Sequence, residues 1–186
     1  MSKTIDNISI EEYLLMEDTS KYDVFLHHMN PENKLCGNRC NVNALTFDEV
    51  QVMRAIFNEP KSDDLMELYL MLFQIRGNRN ENPLSILMRE SVFQLFKATN
   101  FIRDYIEGIN KKEKEWLSGD ENQVLTMLNA SKRLAPFNHL LKKIELAKMF
   151  GVTPDEIGRW KYLKVFNILA GMGVQNDIQK EFNEIK

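Results

Sequence analysis

The stretch LTFDEVQVMRAIF, residues 45–57, decides how the rest of the chain is read. Thr46 is placed to cap a helix, and Glu49 is spaced to reach back to the Thr46 backbone, the reciprocal arrangement of a capping box. Leu45 and Val50 have the spacing of a hydrophobic staple across that cap. Asp48 and Glu49 put negative charge in the first turn, where the helix dipole favours it. Phe47, Val50, Met53, Ile56 and Phe57 then repeat with the helical period, and Pro60 stops the pattern. This is a helix with one buried stripe and signals at both ends.

Working outward, the same style recurs. SIEEYLLMED opens with Ser9 as cap and Glu12 as its box partner, and Ile10, Tyr13, Leu14 and Val24 form its apolar face. Ser62 is placed to cap DDLMELYLMLFQI, whose apolar residues go nearly all round, as in a covered helix. Asn82 followed by Pro83 starts a pattern running to Leu117 as one long helix or two, with Gly108 as a weak point. SGDENQVLTMLNASKRL predicts a helix ending near Pro136. FNHLLKKIELAKMFG predicts another, closed by Gly151. Thr153, Pro154 and Glu156 start the next, and VQNDIQKEFNEI is a last amphipathic stretch. No segment alternates with period two over strand length. The chain is therefore expected to be all-α: a single compact helical domain of seven to nine helices with an N-terminal arm. Residues 1–44 form the arm, with a short helix and a Cys/His loop, and residues 45–186 form the helical domain. GNR occurs at Gly37 and Gly77 with different flanks, and no repeat of solenoid length is visible.

Composition limits function. With 8 Gly and 5 Pro in 186 residues, the turns of a β-sandwich are too few. A net charge of −3 argues against nucleic acid as the partner. The runs Lys111-Lys112-Glu113-Lys114 and Lys142-Lys143 are read as solvated faces. The richest apolar run, LMELYLMLFQI, carries Glu67 and is too short to span a bilayer, so no membrane is expected. The first residues lack a signal-peptide core, which points to a soluble chain made in a cytoplasm, its thiols reduced.

Candidate chemistry concentrates in FLHHMNPENKLCGNRC, residues 25–40, which holds two of the three His and both Cys. His27, His28, Cys36 and Cys40 supply the ligand count of a zinc site. Their spacing does not match a knuckle, because adjacent histidines point apart and no second cysteine pair exists. Arg39 would favour a thiolate at Cys40, but nothing marks a substrate pocket, and a redox pair needs a closer spacing after a strand. A di-iron site would need glutamates three residues before histidines, which His139 alone does not provide. Metalloprotease, phosphate-loop and nucleophile-elbow motifs are missing. Asp63-Asp64 and Asp155-Glu156 are explained by helix starts. The loop is read as structural, with no cofactor and no enzymatic activity expected. The alternative is a small zinc-stabilised regulatory or adaptor protein built on those four residues. With 11 Phe and 10 Met, the remaining signal is apolar contact. In GRWKYLKVFNILAGMGV, Trp160, Tyr162 and Phe166 are the candidate partner-binding residues, because Trp and Tyr are favoured interface anchors.

Two stretches, LTFDEVQVMRAIFNEPKSDDLMELYLMLFQI and LAKMFGVTPDEIGRWKYLKVFNIL, resemble small helical tail-assembly and structural proteins of tailed bacteriophages. The second matches at Leu146, Ala147, Phe150, Gly151, Pro154, Glu156, Trp160 and Tyr162. The likeness covers about a third of the chain and leaves the Cys/His arm unmatched. It implies a virion structural component or a tail-assembly chaperone that binds other phage structural proteins, with homo-oligomerisation as a further arrangement. Such a chain would work in the host cytoplasm during assembly, or in the virion, and the resemblance brings no catalytic residues.

Overall fold

Three capping boxes punctuate the described residues. In each, a Ser or Thr hydroxyl accepts the N–H of a glutamate three residues on, and that glutamate's carboxylate accepts the cap's own N–H. The distances are 3.1 and 3.1 Å for Ser9–Glu12, 3.3 and 2.7 Å for Thr46–Glu49, and 3.3 and 2.8 Å for Thr153–Glu156. The computed structural model describes residues 7–77, 80–117, 133–134 and 137–185. These are all-α, with nine α-helices and no strand among them.

The helices are α1 (Ile10–Leu14), α2 (Ser20–His27), α3 (Phe47–Asn58), α4 (Ser62–Leu72), α5 (Pro83–Met88), α6 (Val92–Leu117), α7 (Asn138–Phe150), α8 (Pro154–Gly158) and α9 (Tyr162–Glu184). A 3-10 turn, Val42–Ala44, precedes α3. The expected start of α5 is present: Asn82 Oδ1 accepts the Leu84 N–H at 2.9 Å, with Pro83 in the first turn. The pattern from Pro83 resolves as two helices, since the chain turns at Arg89–Ser91 and α6 then runs unbroken through Gly108. Gly151 ends α7 in the left-handed conformation, φ 65°, which glycine adopts without a side-chain clash. The last amphipathic stretch is no separate element; it continues α9. The helix predicted to end near Pro136 lies outside the described residues, apart from 133 and 134.

Other expectations change. Ser62 does not cap α4 but is its first residue, behind Lys61, and makes no capping bond. That helix buries Leu68, Tyr69 and Leu72 but leaves Met71 exposed, so it is covered on one side only. Val24 belongs to α2 and, like Leu14, is exposed.

By contacts the chain divides into two units, Met1–Val42 with Met53–Gly108 and Asn43–Val52 with Ile109–Lys186. The described residues of the expected arm up to Val42 therefore belong with α4 and α5 in the first unit. Ile8, Leu26, Met29 and Val92 form a buried cluster there, flanked by Tyr13, Met16, Tyr22, Phe93 and Phe96. Asn100, itself buried, donates to the carbonyls of Met29 at 2.8 Å and His27 at 3.3 Å, satisfying acceptors that the end of α2 leaves open. The second unit buries Leu45, Phe47, Val50, Ile109, Leu146, Ile157, Tyr162 and Val165.

Candidate functional site

The Cys/His loop is a tight turn. Leu35 and Asn38 exchange both backbone hydrogen bonds at 2.9 Å, and Cys36 and Gly37 between them have φ values of 48° and 77°. Positive φ at both central residues is the signature of a type I′ turn, in which Gly37 is at ease and Cys36 is unusual. Asn33 clamps the far side: its Oδ1 accepts the Cys40 N–H at 2.8 Å, and its Nδ2 donates to the Cys40 carbonyl at 2.9 Å. Cys40 is buried and Cys36 half-buried. Burial first, then the neighbouring Glu90 carboxylate, pushes the Cys36 thiol up to about 12, the reverse of what a nucleophile needs. His27 packs edge-on against Phe96, with ring centroids 5.4 Å apart. Among the described residues no three His, Cys, Asp or Glu side chains gather where a metal ion would sit. His27, His28, Cys36 and Cys40 are thus not brought together as a zinc set.

What the sequence reading missed is a device used twice. In the first unit, Ile10 N–H donates to the Glu90 carbonyl and Val92 N–H to the Ile8 carbonyl, both at 2.9 Å, so that the capping residue Ser9 bridges Ser91. In the second, Phe47 N–H donates to the Trp160 carbonyl and Tyr162 N–H to the Leu45 carbonyl, both at 2.8 Å, so that Thr46 bridges Lys161. Each bridge ties the N-cap of one helix to the turn between a short proline-started helix and a long one: α5–α6 in the first unit, α8–α9 in the second. Buried residues correspond: Ile8 with Leu45, Ile10 with Phe47, Leu87 with Ile157, Val92 with Tyr162, and Leu95 with Val165. The bridge's traces in the sequence are the capping boxes at Ser9 and Thr46 and the arginines Arg89 and Arg159, each two residues before the bridging position.

This bridge corrects the reading of the aromatic trio. Tyr162 is only 3% exposed: it stacks between Phe47 and Phe166, with centroids 6.5 and 6.2 Å away, and its hydroxyl donates to Glu113 at 2.9 Å. It is a core residue, because the turn into α9 points it inward. Phe166 is half-buried beside it. Trp160 is also half-buried, edge-on to Phe150 at 5.2 Å and covered by the Lys164 ammonium 3.5 Å from its ring centre. Lys143, expected on a solvated face, is buried, and its ammonium is 2.9 and 3.0 Å from the Asp48 carboxylate oxygens. That carboxylate occupies the space beside Gly158 where any side chain would collide with it.

The second unit also presents apolar side chains outward. On α7, Leu140, Leu141, Met149 and Phe150 are exposed, and on α9 so are Leu163, Val174, Ile178 and Phe182. At about 100° per residue, Val174, Ile178 and Phe182 share one stripe. The other side of the same helix, with Met172, Asn176, Lys180 and Asn183, lines a groove with Trp116, Lys142 and Glu145. Residues 174–183 are exposed on every side of this helix, so its apolar stripe lies at the surface together with its polar residues. No helix among the described residues is long and apolar enough to cross a membrane. No protein-family model, no curated protein and no solved structure matches this chain, and its functional reading rests on its own residues.

Proposed function

We propose that the chain is a non-enzymatic protein-interaction module of a tailed bacteriophage, a virion structural component or a tail-assembly chaperone that binds another virion protein. The single observation that carries the binding reading is the exposure of Val174, Ile178 and Phe182 in register along α9. Large apolar side chains exposed along a helix have a hydration cost that a partner's groove or helix removes. The assignment to phage assembly is supported by the resemblance at residues 45–75 and 146–169. On this reading the chain acts in the host cytoplasm while particles form, and stays in the virion if it is a component.

Mass spectrometry of purified particles and of infected-cell lysate tests this. A fixed copy number per particle identifies a component. Absence from particles, with recovery from lysate in a complex with one virion protein, identifies a chaperone. Recovery only as a free chain, from lysate and never from particles, overturns the proposal.

A further inference from the structure

α6 and α9 leave their bridges alike, yet a side that is covered on α6 is open on α9. Setting Lys161 on Ser91 puts Leu163 on Phe93, Phe166 on Phe96, Asn167 on Lys97, Ala170 on Asn100 and Gly171 on Phe101. At about 100° per residue these positions share one side of each helix. In the first unit α2 and the chain after it lie on that side. His27 packs on Phe96, and Asn100 holds the His27 and Met29 carbonyls. The Lys97 ammonium is 3.0 Å from the Glu32 carboxylate, and Gln94 donates to the Lys34 carbonyl at 2.7 Å. Asn100 is buried there, and Phe93, Phe96, Lys97 and Phe101 are half-buried.

Among the described residues of the second unit nothing seals the same positions. Leu163 is 41% exposed and Val174, one turn beyond Ala170, 47%, with Asn167 and Gly171 exposed between them. A side chain placed at Gly171 would meet nothing within 4 Å, so another backbone has room to approach closely. The groove is elsewhere: Leu169, Met172 and Asn176 line it from the opposite side of α9.

The first unit shows what seals such a side, a helix of eight residues followed by a return of chain that brings in an acid. Two replacements say how the occupant of α9 departs from that pattern. Ala170 in place of Asn100 offers no donor, so no open helix-end carbonyl belongs there and the occupant's helix runs past it. Lys164 in place of Gln94, with Lys161 one turn before it, sets two exposed cations at the end of the side. Lys164 lies over the Trp160 ring there, and a carboxylate on the occupant is the complement of this end. A second copy of this chain has no spare α2 to offer, because its own α6 already buries Leu26 and Met29.

We propose that the side of α9 from Leu163 to Val174 docks a helix of another protein, apolar on its inner face and acidic at the end that reaches Lys161 and Lys164. The proposal rests on the reading of α9 as the docking element and names the place and the partner's chemistry. Apolar burial along Leu163, Phe166 and Val174 holds the helix, and the two lysines fix its direction.

The test uses the full chain and two stapled helical peptides that share one Leu/Ile face, one ending in two Glu and the other in two Lys. Binding is followed by fluorescence anisotropy at low salt and near 1 M salt, alongside sedimentation of the chain alone. The expected result is a preference of about tenfold for the Glu-ended peptide, fading at high salt, where the screening length falls to about 3 Å. Lys161→Glu with Lys164→Glu should transfer the preference to the Lys-ended peptide. Leu163→Glu and, separately, the fully surface variant Asn167→Glu should each weaken both peptides by about tenfold or more, with the helical signal unchanged. Equal affinity for both peptides, no binding of either, binding that both of those variants leave intact, or a dimer of the chain that Leu163→Glu dissolves would each overturn the proposal. If Ile178→Glu removes the chain from its virion complex while Leu163→Glu and Asn167→Glu do not, this site fails and the broader reading of α9 survives.

Discussion

The two bridged caps use one backbone pattern and seal it differently. Around Ser9 the bridge is closed by aliphatic side chains, Ile8, Ile10 and Val92, with Tyr13 and Phe96 packed edge-on beside them at 5.9 Å. Around Thr46 it is closed by an aromatic stack, Phe47, Tyr162 and Phe166, and by the buried Lys143 held on Asp48. The position of Asp48 is taken by Glu11 in the first unit, which shares a surface groove with Met88, the counterpart of Gly158. One unit fills that corner with a methionine. The other removes the side chain so that a carboxylate can enter and meet a lysine. The backbone device fixes how the chain turns, and the side chains set how much each copy contributes and whether charge is built into it.

The largest effect should come from the bridge cores. Phe47→Ala removes a buried ring that stacks on Tyr162 and should cost about 3–5 kcal/mol, whereas Ile10→Ala should cost about 2–5 kcal/mol. Urea titration of both variants would break the comparison if the aliphatic copy proved the costlier to truncate.

Next comes the corner itself. Gly158→Ala drives a methyl group into the Asp48 carboxylate and should destabilise by about 1–3 kcal/mol. Adding Asp48→Ala should return part of that loss, and a double-mutant cycle on thermal melting reads the coupling. Additive costs would show that Asp48 and Gly158 do not share the corner. Caps come third: Ser9→Ala and Thr46→Ala should each cost about 1 kcal/mol, because each loses the hydroxyl that accepts the glutamate N–H.

The smallest effect at neutral pH is that of Cys36, whose thiol is protonated in both folded and unfolded chains there. Its ordinary value is 9.0, and burial raises it to about 12 in the fold. The unfolded chain therefore releases the proton first as pH rises, so stability is intact below 9 and declines from there toward 12. Tyr13 and Tyr69, raised by burial from 10.0 to about 12, add to the same decline. Denaturation midpoints across that range should fall less steeply in Cys36→Ala than in the parent chain.

What the sequence disclosed was local. Capping boxes, the Asn82-Pro83 start and the Gly151 stop are written within a few residues, and each is present in the structure. The bridges were illegible because their halves are far apart in the chain and too short to show alternation. Tyr162 was taken for a surface anchor because its residue type suggests an interface, whereas its spacing from Val165 and Phe166 places it inward once the turn is known. Lys143 carried no local sign of its Asp48 partner. The amphipathic pattern of VQNDIQKEFNEI was visible, but a sequence does not say which side of a helix faces the protein.

Under the assembly role proposed above the chain is phage-encoded, and the most direct measurement of that role is particle yield when the chain is supplied to that phage as Ile178→Glu and Phe182→Glu, with circular dichroism on the same variant. Both side chains are more than half exposed, so the account predicts unchanged helicity and melting together with a collapse in assembled particles. Normal yield from a well-folded variant would contradict it.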